Sequence, residues 1–158
     1  MKRISILLAI FMLVGILAGC GKAAVDPGID KLTEAVDTVA EAKDRMISFD
    51  EDMLNNLMKL DKSSYEAANV KKASIGINID EYGIIKGKDA KQAGEIKTAV
   101  EAYIKMRQDS WMKEYLPEEF PKLKDAKIIT NGNYVMYFIL SEEMKQAAEK
   151  SISELFAK

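Results

Sequence analysis

The sequence predicts an α+β fold: a four-stranded antiparallel sheet built from two ββα units, with helices packed on it and one helix ahead of it. Three observations carry this. Asn131-Gly132 separates two strand-like runs, Lys127 to Thr130 and Asn133 to Leu140, and Asn-Gly supplies the positive φ that a type I′ hairpin turn needs at both centres. In the second run Tyr134, Met136, Phe138 and Leu140 alternate with Val135, Tyr137 and Ile139, so both faces are apolar and the strand should be central and covered twice. A shift of fifty-two positions lays Tyr82 on Tyr134, Asp89 on Ser141, Val100 on Ile152 and Ile104 on Phe156, which suggests two similar units with both long helices on one face.

The elements follow in order. Asp26-Pro27 has the form of a helix start, with Asp26 as cap and Pro27 at the first helical position, where its missing N–H costs nothing. Ile29, Leu32, Val36, Val39, Met46 and Ile47 keep helical spacing, so this helix should run from about 27 to 46. Asp50 caps a second, short helix to about Leu60, with Phe49 stapled onto Leu54. Residues 65–79 and 81–88 read as two strands with a loop around Gly76. Asp89 starts a long helix with Ala93, Ile96, Val100, Tyr103, Ile104 and Trp111 on one side, ended near Tyr115 by Leu116-Pro117. Pro121 keeps the next stretch open, the hairpin follows, and Ser141 caps a last helix with Met144, Ala148, Ile152, Leu155 and Phe156 on its buried side.

The N-terminus is an address. Lys2 and Arg3 precede an apolar run from Ile4 to Ile16, the layout of a secretory signal over residues 1–19, and the run is shorter than the roughly 20 apolar residues a membrane span needs. Leu17-Ala18-Gly19-Cys20 is similar at each position to a bacterial lipobox, which implies cleavage before Cys20 and a diacylglyceryl group, palmitate included, on its thiol. Two or three acyl chains hold a protein on a membrane essentially permanently. Residues 20–28 form a lipidated tether of small residues ahead of one domain over 29–158. The expected location is therefore the extracytoplasmic face of the cell membrane, with the bilayer as first partner.

Composition narrows the chemistry. Among 158 residues there is no histidine and one cysteine, which removes histidine bases, Ser-His-Asp triads, zinc sites built on Cys or His, and any internal disulfide. The net charge of −2 becomes −4 once a segment holding Lys2 and Arg3 is cut away, and no basic patch offers itself to nucleic acid. No cofactor or metal is expected. Gly83 to Lys88 followed by Asp89 fails as a phosphate loop, because it is one residue short and puts a carboxylate where a magnesium-binding hydroxyl belongs. Asp50 and Asp52 fail the calcium-loop pattern at Leu54 and Asn55, and capping accounts for them. Glu118 and Glu119, between Pro117 and Pro121, form a candidate acid-base pair, and Arg107 lies one turn from Trp111 at cation–π spacing. Tyr103, Trp111, Tyr115, Phe120, Tyr134 and Tyr137 are candidates for a groove or, more simply, for the core.

Three segments carry a family resemblance: Glu81-Tyr82-Gly83-Ile84-Ile85-Lys86-Gly87-Lys88-Asp89, the run from Trp111 to Phe120, and Thr130-Asn131-Gly132-Asn133-Tyr134-Val135. In these the chain resembles small, uncharacterised lipoproteins of Gram-positive, mainly clostridial, bacteria, whose domain is one of unknown function. The resemblance implies location and layout and brings no catalytic residue with it. The function expected is a non-catalytic binding or accessory module at the cell envelope with a protein or peptide partner. Its rivals are an envelope hydrolase using carboxylate chemistry and a small solute-binding lipoprotein. The surface expected to act is the edge of the first hairpin or the loop from Leu116 to Leu123.

Overall fold

A computed structural model describes residues 25–112 and 114–158. The lipobox Leu17 to Cys20 lies outside the described residues. The element order is α1 (Ile29–Val39), β1 (Met46–Ser48), α2 (Glu51–Met58), β2 (Ala67–Ala73), β3 (Glu81–Lys86), α3 (Ala90–Asp109), α4 (Phe120–Lys124), β4 (Lys127–Asn131), β5 (Tyr134–Ile139) and α5 (Glu142–Phe156). The α+β class, the antiparallel sheet and the N-terminal helix are as expected, but the sheet has five strands in the order β1-β2-β3-β5-β4 rather than four.

The fifth strand comes from the far end of the expected first helix. Glu41 and Asp44 take positive φ, which turns the chain after Val39 and returns Met46–Ser48 along β2 as an edge strand. Met46 and Ile47 continue the helical spacing by coincidence. Of the two, Met46 packs under α1 and α5 while Ile47 is exposed. α1 itself starts at Ile29 behind Gly28, which has φ 81 and gives no side-chain cap; Asp26 bonds elsewhere. Asp50, Asp89 and Ser141 do cap α2, α3 and α5, each accepting from the backbone N–H three residues on.

Two further elements differ. α3 ends at Asp109, where the Ser110 and Trp111 N–H groups bond back to Met106 and Gln108, so Trp111 leaves the helical face that its spacing suggested. Pro121 is the second residue of α4 instead of keeping the chain open, since proline is well suited to a first helical turn. The hairpin is present but its turn is one residue later than expected: Asn131 pairs with Tyr134, and of the two loop residues only Gly132 has positive φ, at 54°. That is the φ pattern of a type II′ turn, which needs only a glycine at its first centre.

β5 is buried along its whole length and lies between β3 and β4, as its two apolar faces require. Val135, Tyr137 and Ile139 join Ile85, Val70 and the buried sides of α2, α3 and α4. Tyr134, Met136, Phe138 and Leu140 join Tyr82, Ile84 and the buried sides of α1 and α5. The two long helices therefore cover opposite faces, not one. Adjacent antiparallel strands are exchanged by a twofold axis normal to the sheet, which would leave both helices on the same side; the strands obey that relation and the helices break it. Tyr82 and Tyr134 lie in the same layer and each stands seven residues before its helix cap, Asp89 or Ser141, so the conformation of the two connections rather than their length sends the helices to opposite faces.

Both layers should be needed for folding. Ile84 and Ile85 are fully buried on opposite faces of β3. Replacing either with Ala is expected to cost about 2–5 kcal/mol in urea unfolding, and a cost below about 1 kcal/mol for one of them would mean its layer is not packed.

Candidate functional site

The side chains with the most unusual surroundings gather at the end of the sheet where β3 begins. Glu81, its first residue, is 1% exposed. Across the sheet from it Tyr137 reaches over Gly83, whose missing side chain makes this possible: a Cβ there would lie 2.2 Å from the Tyr137 ring. The Tyr137 hydroxyl donates to Glu81 Oε1 at 2.7 Å, and the Tyr103 hydroxyl donates to Oε2 at 3.1 Å. Arg107, one helical turn beyond Tyr103 on α3, closes the cage by pairing its Nη1 with Oε2. Burial pushes the Glu81 carboxyl above its ordinary range, while Arg107 and the two tyrosines pull it back down. Burial and the neighbouring carboxylate together push both tyrosine hydroxyls upward, so they remain protonated donors.

The preceding residue forms a second cluster. Asp80 Oδ1 accepts from Lys122 at 2.8 Å, and Oδ2 accepts from Arg45 at 3.2 Å and from Asn78 at 3.1 Å. Lys122 also bonds Glu119, whose Oε2 accepts from the backbone N–H of Ile79 at 3.0 Å. The segment from Leu116 to Leu123 is thereby fastened to the loop between β2 and β3. The two regions singled out in the sequence form one place, although β2 and β3 are interior strands and offer no edge.

Other candidates disperse. Glu118 is exposed while Glu119 is committed to Ile79 and Lys122, so they form no acid-base pair. Arg107 lies over Tyr103 at 5.8 Å, and Trp111 instead packs on Phe120 at 5.9 Å. Asp89 accepts from the Gln92 N–H, and Gly87 leaves no room for a side chain beside Ala93, so this junction is a packed helix start. Asp50 caps α2 and Asp52 faces solvent. Tyr103, Tyr134 and Tyr137 are core residues, whereas Tyr115 is exposed. No group of three or more potential metal ligands occurs among the described residues. The Glu81 cage had little signal in the sequence: a carboxylate opening an apolar strand and a glycine within that strand were its traces.

Around this end several large apolar side chains face solvent: Ile47 on β1, Ile75 and Ile77 in the loop after β2, and Met112 and Tyr115 after α3. At the opposite end of the sheet the chain enters at Asp26. Its carboxylate accepts from the Tyr134 hydroxyl at 2.6 Å and pairs with Lys86 at 3.0 Å. The tyrosine hydrogen bond foremost, then Lys86, holds the Asp26 carboxyl down at about 2. No described helix is long and apolar enough to cross a membrane.

Two measurements check these arrangements. Arg107→Met strands a buried carboxylate and should cost about 3–5 kcal/mol in urea unfolding. The double variant Glu81→Gln, Arg107→Met should be less damaged than Arg107→Met alone; equal damage would mean that the charge pair is not what is lost. Since the folded Asp26 carboxyl titrates below its ordinary 3.8, its contribution is complete above that value and disappears as the pH falls through about 2. Carboxyl NMR titration should place Asp26 near 2 and move it toward 3.8 in Tyr134→Phe, while an unmoved midpoint would contradict the contact.

No curated protein and no solved structure matches the chain. The family model described as domain of unknown function DUF4358 matches residues 38–140, about two thirds of the sequence. That span holds all five strands, the Glu81 cage and the layer made by α2, α3 and α4, while α1 and α5 lie almost wholly outside it. The chain belongs to the DUF4358 family.

Proposed function

We propose that this chain is a lipid-anchored extracytoplasmic lipoprotein, held through Cys20, that serves as a non-catalytic binding module for a protein or peptide of the cell envelope. The observation that carries the binding role is the set of exposed apolar residues at one end of the sheet, with Ile75 and Ile77 exposed by 64% and 68%. Clustered apolar exposure rimmed by charge is characteristic of surfaces that meet a partner. The anchoring role rests on the lipobox motif Leu17-Ala18-Gly19-Cys20.

The two roles are spatially compatible. Joined to the domain at Asp26, the tether from Cys20 would be about six residues and span at most about 22 Å. β3 runs six residues, about 20 Å, from that end to the apolar one. An anchor at Cys20 would thus join the domain at the end opposite Ile75 and Ile77 and leave them free to face away from the bilayer. The partner would be met in the envelope space rather than in the lipid.

Cys20→Ala should stop palmitate labelling and release the chain from the membrane fraction; retention would refute the anchor. A photo-crosslinker at position 75 or 77 of the full chain on intact cells should capture a partner that is not captured from positions 146 and 154 on α5. Equal capture from both sets would refute the assigned surface.

A further inference from the structure

Beside the Glu81 cage lies a hollow of about 310 Å³, walled by Ile47, Lys72, Ile79 and Arg107 with Asp80 and Glu81 at its polar side. Its hydrogen-bonding groups are unevenly committed. Both oxygens of Asp80 are taken, by Lys122, Arg45 and Asn78. Both oxygens of Glu81 are taken, by Tyr137, Tyr103 and Arg107. Asn78 uses its amide on Asp80 and its carbonyl on the Asp80 N–H, and the Ser74 hydroxyl donates to the Arg45 carbonyl.

What is left over is cationic. Arg107 makes its contacts through Nη1, to Glu81 and to the Tyr103 hydroxyl, which leaves Nη2 and Nε without an acceptor among the described residues. Lys72 lies over the Phe49 ring at 5.7 Å and has no carboxylate partner among them. A guanidinium edge with two parallel N–H groups matches a carboxylate in geometry as well as charge, and an ammonium supplies a third donor. Glu81 and the Tyr103 ring hold the Arg107 guanidinium against the cage. The receptor is therefore preorganised, and its walls at Ile47 and Ile79 are apolar.

We propose that this hollow binds the C-terminal carboxylate of a peptide ending in an apolar residue, with Arg107 and Lys72 receiving the carboxylate and Ile47 and Ile79 flanking the side chain. The inference rests on the binding role proposed above and gives it a ligand class. Charge complementarity selects this occupant: a cationic segment would meet the Lys72 ammonium, which has no carboxylate partner among the described residues, and the outward edge of a guanidinium already paired with Glu81, and an uncharged one would leave their donors unfilled. Glu81 acts as a positioning residue, fixing the Arg107 fork without touching the ligand.

The test uses the purified full chain in detergent micelles, followed by the NMR signals of Ile79 and the Arg107 Nε–H. The probes are N-acetyl-Leu-Leu as the free acid, the same dipeptide as its C-terminal amide, and inorganic phosphate. The free acid should shift both signals saturably, and the amide should bind about tenfold or more weaker, as expected for losing charge-assisted hydrogen bonds. Lys72→Ala should weaken the acid several-fold while leaving the amide unchanged, and Lys105→Ala, on the exposed side of α3, should change neither. Equal binding of acid and amide would overturn the proposal, as would no effect of Lys72→Ala. Displacement of the acid by an equal concentration of phosphate would also overturn it, assigning the hollow to free anions. Crosslinking from positions 75 and 77 that succeeds while acid and amide bind alike would leave the binding module standing and remove this ligand alone.

Discussion

A carboxylate buried at the head of an interior strand constrains everything near it. Taking an ionised Glu81 out of water costs several kcal/mol unless donors replace the water, and three do: Arg107, Tyr103 and Tyr137. Each requirement reaches outward. Tyr103 and Arg107 are spaced four apart, so they face Glu81 together only if α3 is rotated one way about its axis. Tyr137 can reach only across a strand position without a Cβ, which fixes Gly83 opposite it in the β3–β5 register. The rotation of α3 and the pairing of the two central strands are locked by one carboxylate.

The same cage decides which groups this end of the sheet leaves open. With Glu81 and Asp80 fully bonded, their acceptors are exhausted, and Arg107 and Lys72 beside them keep donors with no acceptor among the described residues. Exposed isoleucines border those donors, which is the mixture of apolar area and directed charge that a binding surface uses. At the far end Asp26 is consumed by Tyr134 and Lys86.

The parts of the fold that were legible in the sequence are those decided locally. Caps at Asp50, Asp89 and Ser141, the glycine at the β4–β5 turn and the doubly apolar strand from Tyr134 each act through neighbours in the chain, and each is present. The parts misread depend on distant partners. β1 is three residues long and exists because β2 offers it an edge, so helical spacing at Met46 and Ile47 had nothing local to oppose it. The placement of α3 and α5 on opposite faces turns on the conformation of two connections that stand at equal spacing from their strands. The Glu81 cage joins residues up to 56 apart in sequence, and no spacing rule anticipates it.

Gly83 shows how such a site still leaves a local trace. In a strand buried on both faces a glycine forfeits packing and adds unfolded-state entropy, a cost of roughly 0.5–1 kcal/mol relative to Ala. A sequence that carries one there needs close approach by another group, and in this fold that group is the Tyr137 ring. The glycine and the carboxylate two residues before it are two ends of one constraint: the first admits the ring, and the second receives its hydroxyl. In β3 the acid at Glu81 and the glycine at Gly83 are the local traces that this caged carboxylate leaves in the sequence. In this chain it leads directly to Arg107, whose Nη2 and Nε have no acceptor among the described residues.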